Sequence, residues 1–183
     1  WERFCPEYEI IRWDETNYDT GKYLYTEQAG RHGKWAFVSD VARLDILYRY
    51  GGIYLDTDVE LVRGIDELLC QPGFCSVEKW GIVNTGGGCG CVKGHRLIKA
   101  ILAERTKMAF EREDGSLNLS GSGLYETLPL LDRGFLPNNT SQMIDGMTVY
   151  SSEFFHPYDY MSGELCMTEY TYGIHHFSGS WVS

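Results

Sequence analysis

Residues 34–62, KWAFVSDVARLDILYRYGGIYLDTDVELV, constrain the fold of this chain more than any other stretch. Phe37, Val41, Leu44, Leu47 and Tyr48 recur at helical spacing, which predicts a helix from about Trp35 to Tyr50. Ser39 is a candidate start signal, since a serine hydroxyl can accept from the exposed amides just after it. Gly51 supplies a left-handed residue that ends a helix without a Cβ penalty, and Gly52 lets the chain reverse. Ile53, Tyr54 and Leu55 then predict a short strand running out of the core. Side chains alternate along a strand, so Tyr54, Asp56 and Asp58 should point one way, with the two carboxylates roughly 7 Å apart. Such a pair makes a poor core and a good seat for a divalent cation, which leaves open positions for phosphate oxygens. Asp40 and Arg43 are three apart on the predicted helix and share a face. If the reversal brings that face beside the strand, an acid and a guanidinium join the same site.

Composition narrows the partners. The chain has 183 residues, enough for one domain with a sizeable core. Its 16 basic and 26 acidic side chains give a formal charge of −10, which argues against nucleic acid as a partner. An anionic nucleotide diphosphate would need a metal to be received by so acidic a protein. Thirteen Tyr, eight Phe and five Trp suit stacking on bases and sugar faces, and equally an aromatic-rich core. The six cysteines lack disulfide-scaffold density and read as reduced thiols in a cytosol. Cys89-x-Cys91 with His95 nearby fits no common zinc spacing. No apolar run approaches the ~20 residues a membrane span requires.

Along the rest of the chain, Tyr8, Ile10 and Trp13 alternate loosely enough to predict a strand within residues 1–19. Residues 16–33 read as a loop and a short helix, with His32 and Lys34 solvated. A short helix is predicted at Ile65–Leu69 and a strand at Phe74–Glu78. The glycines of residues 86–90 match no phosphate-loop spacing and are discounted as a nucleotide cradle. Leu97, Ile98, Ile101 and Leu102 line one side of a helix expected over 95–109. SGSGLYETL reads as a helix entry, and MTVY as a late strand.

FVSDVARLDILYRYGGIYLDTDVELV resembles the signature of the DXD-type sugar transferases of glycosyltransferase family 32, which are similar to the glucosylating domain of clostridial toxins and to yeast mannosyltransferases. The S-D-x-x-R, the Y-G-G-x-Y-x-D-x-D and the spacing between them all match. The resemblance implies an α/β fold of the GT-A kind, a Rossmann-like, mostly parallel sheet flanked by helices. It implies a single catalytic domain over 1–183 that lacks the family's first strand and is thus N-terminally incomplete. It implies a retaining transfer from a UDP- or GDP-sugar to a glycan or lipid-linked acceptor, with Mn²⁺ or Mg²⁺ as cofactor. In residue terms, Asp40, Arg43, Asp56 and Asn84 become the catalytic candidates. Tyr54, Ser180 and Trp181 join those four around the donor, and Asp56, Asp58 and a C-terminal histidine hold the metal. Both His175 and His176 are candidates there, with His175 narrowly favoured by its offset to the Ser180-Trp181 ending. The implied setting is bacterial polysaccharide assembly, cytoplasmic or peripheral at the inner membrane face.

Three rivals share these residues. A haloacid-dehalogenase-like phosphatase also places D-x-D after an apolar strand, but no later lysine motif stands out. Asp56, Asp58, Glu60 and Glu67 occupy positions 1, 3, 5 and 12 of a calcium loop, yet Leu61 stands where glycine is required. An inactive transferase serving as a carbohydrate- or nucleotide-binding subunit is the third.

Overall fold

The structure is a computed structural model that describes residues 1–179. Its helices are α1 (Leu24–Arg31), α2 (Trp35–Tyr50), α3 (Arg96–Thr106) and α4 (Ser122–Leu131). The strands are β1 (Gly52–Tyr54), β2 (Val59–Leu61), β3 (Gly73–Val77), β4 (Val83–Asn84), β5 (Cys89–Cys91), β6 (Gln142–Ile144), β7 (Met147–Tyr150), β8 (Tyr158–Asp159), β9 (Glu164–Leu165) and β10 (Gly173–His175). Helix α2 has the predicted bounds. Its entry differs, because Lys34 stands at the N-cap and Ser39 lies a turn inside, its hydroxyl donating to the Ala36 carbonyl at 2.7 Å. Gly51 ends the helix as expected, at φ +75°, with its amide on the Leu47 carbonyl.

The main sheet runs β1-β5-β3-β7-β6, with β4 on the free part of β3. It is mixed, and the expected predominance of parallel strands is not found: among its pairings only β3 with β7 is parallel. The reason is the length of the connections. Residues 78–82 join β3 to β4, a link short enough only for an antiparallel return, and residues 85–88 carry the chain onward in the same direction, so that β4 and β5 both lie antiparallel along β3. The long excursion through α3 and α4 is what lets β7 come back parallel to β3.

Strand alternation divides the core in two. Cys75, Val77, Cys89, Cys91, Met147 and Val149 face the cluster built by all four helices, with Val41, Leu44, Leu47, Ile98 and Leu130 opposite them. Phe74 faces the other way, into a second cluster with Cys5, Leu61, Ile65, Leu68, Phe155 and Tyr172. The α-helices therefore cover one side of the sheet rather than flanking both. The second side is closed by the 3₁₀ turn Asp66–Cys70 and a stack of aromatic rings, in which Phe74 and Phe155 lie nearly parallel at 5.9 Å. No amphipathic run between β2 and β3 is long enough to make a stable helix there.

The predicted strand within residues 1–19 does not form. Local turns, such as the Cys5 amide on the Trp1 carbonyl and the Tyr18 amide on the Asp14 carbonyl, take up the backbone instead. Ile10 and Ile11 are adjacent and both exposed, so no single face was available to bury. The segment is anchored at Trp1, whose indole N–H donates to the Val59 carbonyl at 2.7 Å. All six thiols are free. No helix among the described residues is long and apolar enough to cross a membrane.

Gly51 and Gly52 separate two costs of substitution. A Cβ on Gly51 would lie 2.7 Å from the Lys93 amide nitrogen, whereas one on Gly52 meets nothing within 4 Å, although φ is +98°. G52A should cost about 1 kcal/mol of backbone strain and G51A roughly 3 kcal/mol or more, strain plus clash. Urea unfolding midpoints of the two variants measure the gap, and equal losses would remove the clash.

Candidate active site

The acid pair sits beyond β1 rather than on it. Residues 55–58 leave the strand, and the Val59 amide closes a turn onto the Asp56 carbonyl at 3.0 Å. The two carboxylates are thus brought together by a turn, not by strand alternation. The Asp56 amide donates to the Gly86 carbonyl at 2.8 Å, which docks this turn against the glycine run 86–88. A Cβ on Gly86 would collide with the Arg43 guanidinium and the Asp56 carboxylate, and one on Gly87 with the His156 ring. The glycines let side chains press on bare backbone. That use leaves no spacing motif in the sequence.

A second pairing delivers the histidine. β10 runs antiparallel to β2, with His175 opposite Val59, and the His176 amide donates to the Asp58 carbonyl. His175 Nε2 comes to 3.3 Å from Asp58 Oδ1. One ligand atom each from Asp56, Asp58 and His175 lies within 4.8 Å of the others. His176, the neighbour on the strand, points to the opposite side. Its ring is half exposed and contacts Glu60 at 3.1 Å, so it stands outside the donor group. Of the two, only His175, the last residue of β10, has a ring nitrogen beside both acids.

The protonation states suit a cation. Burial holds the His175 imidazole below its usual range, against the pull of Asp58, and so keeps it neutral. Burial would raise the Asp58 carboxyl, but hydrogen bonds from the Ser178 amide and hydroxyl hold it low. Two acidic oxygens and a neutral nitrogen form a donor set that Mn²⁺ and Mg²⁺ accept. The calcium-loop arrangement is absent: Glu67 turns away to Arg63 and Tyr172, and Glu60 to His176.

Behind the acids lies a buried charge cluster. Arg43, 4% exposed at its side chain, bonds Asp40 with one nitrogen and reaches Asp56 at 3.3 Å with another. Burial works against its charge, yet Asp56 and Asp40 prevail and hold its pKa above normal. Asp40 is shared with Arg105 at 3.3 Å, and burial pushes its carboxyl up against both guanidiniums. The Tyr54 hydroxyl donates to Asp56 at 2.8 Å. Asn84 accepts from the Gly86 and Gly87 amides and donates to Glu78, which fixes the glycine turn. Asp40, Arg43, Tyr54 and Asp56 thus form one bonded cluster with Asn84 on the adjoining glycine turn, while Ser180 and Trp181 lie outside the described residues.

Five participants went unread in the sequence. Arg105 continues the apolar series Leu97, Ile98, Ile101, Leu102 on α3, and a charge on that stripe was the available signal. Its guanidinium lies over the rings of Tyr25 and Tyr125 at 4.4 and 4.6 Å. Glu126 accepts from the amide and hydroxyl of Thr85 at 2.7 and 2.8 Å. His156 lies under Gly87, and Ser178 donates twice to Asp58. These last two carried no local signal.

Glu126 gives a measurable consequence. Burial pushes its carboxyl from 4.5 up to about 7, against Arg43. The folded state therefore binds this proton more tightly than the unfolded one, and stability should fall as pH rises from 4.5 through 7. Relative to E126Q, the wild type should lose roughly 2–3 kcal/mol across that window, read as diverging unfolding midpoints. Parallel profiles would show that folding leaves the Glu126 pKa unshifted.

Residues 1–75 match the family described as the glycosyltransferase sugar-binding region containing DXD motif. The chain is similar to inositol phosphoceramide mannosyltransferase 3 of Schizosaccharomyces pombe, with 32% identity over 130 residues. That alignment covers 68% of this chain and 35% of the relative, so the chain spans about a third of that protein's length. No solved structure matches it. Residues 1–75, which hold the acid turn and the helix before it, belong to the DXD-containing glycosyltransferase family.

Proposed function

We propose that this chain is the catalytic region of a metal-dependent, retaining glycosyltransferase of the GT-A type. It moves a sugar from a UDP- or GDP-linked donor to a hydroxyl of a glycan or lipid-linked acceptor. The observation that carries this reading is the convergence of Asp56, Asp58 and His175 from two distant parts of the chain. The name of the relative, an inositol phosphoceramide mannosyltransferase, supports a lipid-linked polyol as the acceptor class.

Asp58, Asp56 and His175 would hold Mn²⁺ or Mg²⁺, which when bound neutralises the charge of a diphosphate leaving group. Asp56, about a quarter exposed at its side chain, is the acid best placed to meet hydroxyls of the donor. Arg43 and Asp40 are too enclosed to grip the sugar broadly. They set the direction of the Asp56 carboxylate, with Tyr54 fixing its other oxygen. Asn84 keeps the glycine turn close, so the donor rests against backbone. In the transfer, the acceptor oxygen bonds to the anomeric carbon on the face from which the diphosphate leaves. The old C–O bond breaks with its electron pair going to the phosphate oxygen, and that oxygen takes the hydroxyl proton. A trapped glycosyl adduct on a carboxylate would overturn this front-face course.

Donor turnover tests the assignment. With Mn²⁺ and a panel of UDP- and GDP-sugars, nucleotide release should fall by roughly 10²-fold or more in D58A and H175A, the scale of losing a group that neutralises leaving-group charge. H176A should stay within about threefold, as a surface substitution away from the donors. Equal losses in H175A and H176A would overturn the choice of histidine, and release unaffected by D58A would overturn the metal reading.

A further inference from the structure

A second set of side chains beside the acid corner remains without a role. The hairpin joining β3 to β4 presents Trp80, 62% exposed, and the hairpin joining β8 to β9 presents Tyr160, 53% exposed. The two hairpins are tied by Lys79 and Asp159 at 2.8 Å. Between them runs a narrow cleft lined also by Glu78, His156 and Phe177. Its enclosed space is about 10 Å³, the room of one hydroxyl rather than of a ring.

His156, on the cleft's inner wall, is 4% exposed. The backbone of Asn84 lies near its ring, yet among the described residues neither ring nitrogen completes a hydrogen bond. Buried polar groups of this kind are nearly always satisfied, so two open nitrogens on one imidazole point to a missing partner. A neutral imidazole offers one donor and one acceptor, which a hydroxyl can meet in either direction. His156 also stands 5.4 Å, ring to ring, from His175, so this wall adjoins the acid corner. Glu78, whose carboxyl burial pushes up, adds an acceptor and is bonded to Asn84 of the glycine turn.

We propose that this cleft is the subsite for the acceptor, a sugar or cyclitol ring lying between Trp80 and Tyr160 with one hydroxyl reaching in to His156. The assignment rests on the transferase reading above and names the substrate class of its second half. The exposed aromatic faces meet the C–H surface of such a ring, and the polar inner wall meets its hydroxyls. The reach toward His175 presents a hydroxyl on the side where the diphosphate would depart.

The test needs no turnover. Methyl α-D-glucopyranoside, methyl α-D-mannopyranoside and myo-inositol are titrated into the chain while the Trp80 indole N–H is followed by NMR, with cyclohexane-1,2-diol as a control with few hydroxyls. At least one polyol should shift the Trp80 signal saturably at millimolar concentration, ahead of the control. Y160A and H156Q should weaken that shift roughly tenfold, and Y160F should restore it. No saturable shift at Trp80 up to ~100 mM would overturn the proposal, as would a shift indifferent to Y160A and H156Q. Paramagnetic broadening around Asp58 by Mn²⁺ is scored separately, so failure of the metal reading is not mistaken for failure of the cleft.

Discussion

The architecture of the site depends on one buried cation. Arg43 lies in the interior with Asp40 and Asp56 as ion-pair partners and Glu126 within reach of its field. A lone guanidinium in that position would cost several kcal/mol, and so would the acids without it. Each makes the others tolerable, and the cost of separation fixes their arrangement. Helix α2 cannot shift against the acid turn without uncovering a charge. This coupling is why a short, irregular turn carrying two aspartates can be held in one geometry.

The same logic extends outward by layers. Arg105 secures Asp40 from α3, and Glu126 secures Thr85 from α4, just before the glycine turn. Helices α3 and α4 each contribute one charged residue to the layer beneath the site and fill most of the rest of their inner faces with apolar packing. Asn84 then converts the turn into a fixed wall by taking two of its amides. Rigidity reaches the acids from four elements, so the groups left accessible, Asp56 and Asp58, stand on well-supported backbone.

Much of this was legible in the sequence. The helix Trp35–Tyr50 and its glycine stop followed from spacing and from the conformational freedom of Gly51, both local properties. The grouping of Asp40, Arg43, Asp56 and Asn84 came from resemblance rather than from any local property of the sequence. Sheet direction was not legible from composition, since it was decided by the few residues linking β3, β4 and β5. The isoleucines at 10 and 11 show why a weak alternation fails: two adjacent apolar residues leave neither face clean. Arg105 was hidden in a stripe of leucines and isoleucines, and a stricter reading of that stripe would have flagged it. His156 was beyond local reasoning, because its significance arises from Gly87, His175 and Phe177, which meet it only in three dimensions.

Strand β10 joins two distant stretches of the chain at one corner. The two aspartates lie in the first third of the chain, and the imidazole that completes the trio arrives on a three-residue strand more than a hundred positions later. Such a contact closes a large loop and carries an entropic burden that nearby contacts do not. A nascent chain therefore holds both carboxylates long before it holds the nitrogen. The grouping of all three side chains is thus a late event in synthesis, and a chain that stops before His175 keeps both aspartates while lacking the third member of the trio.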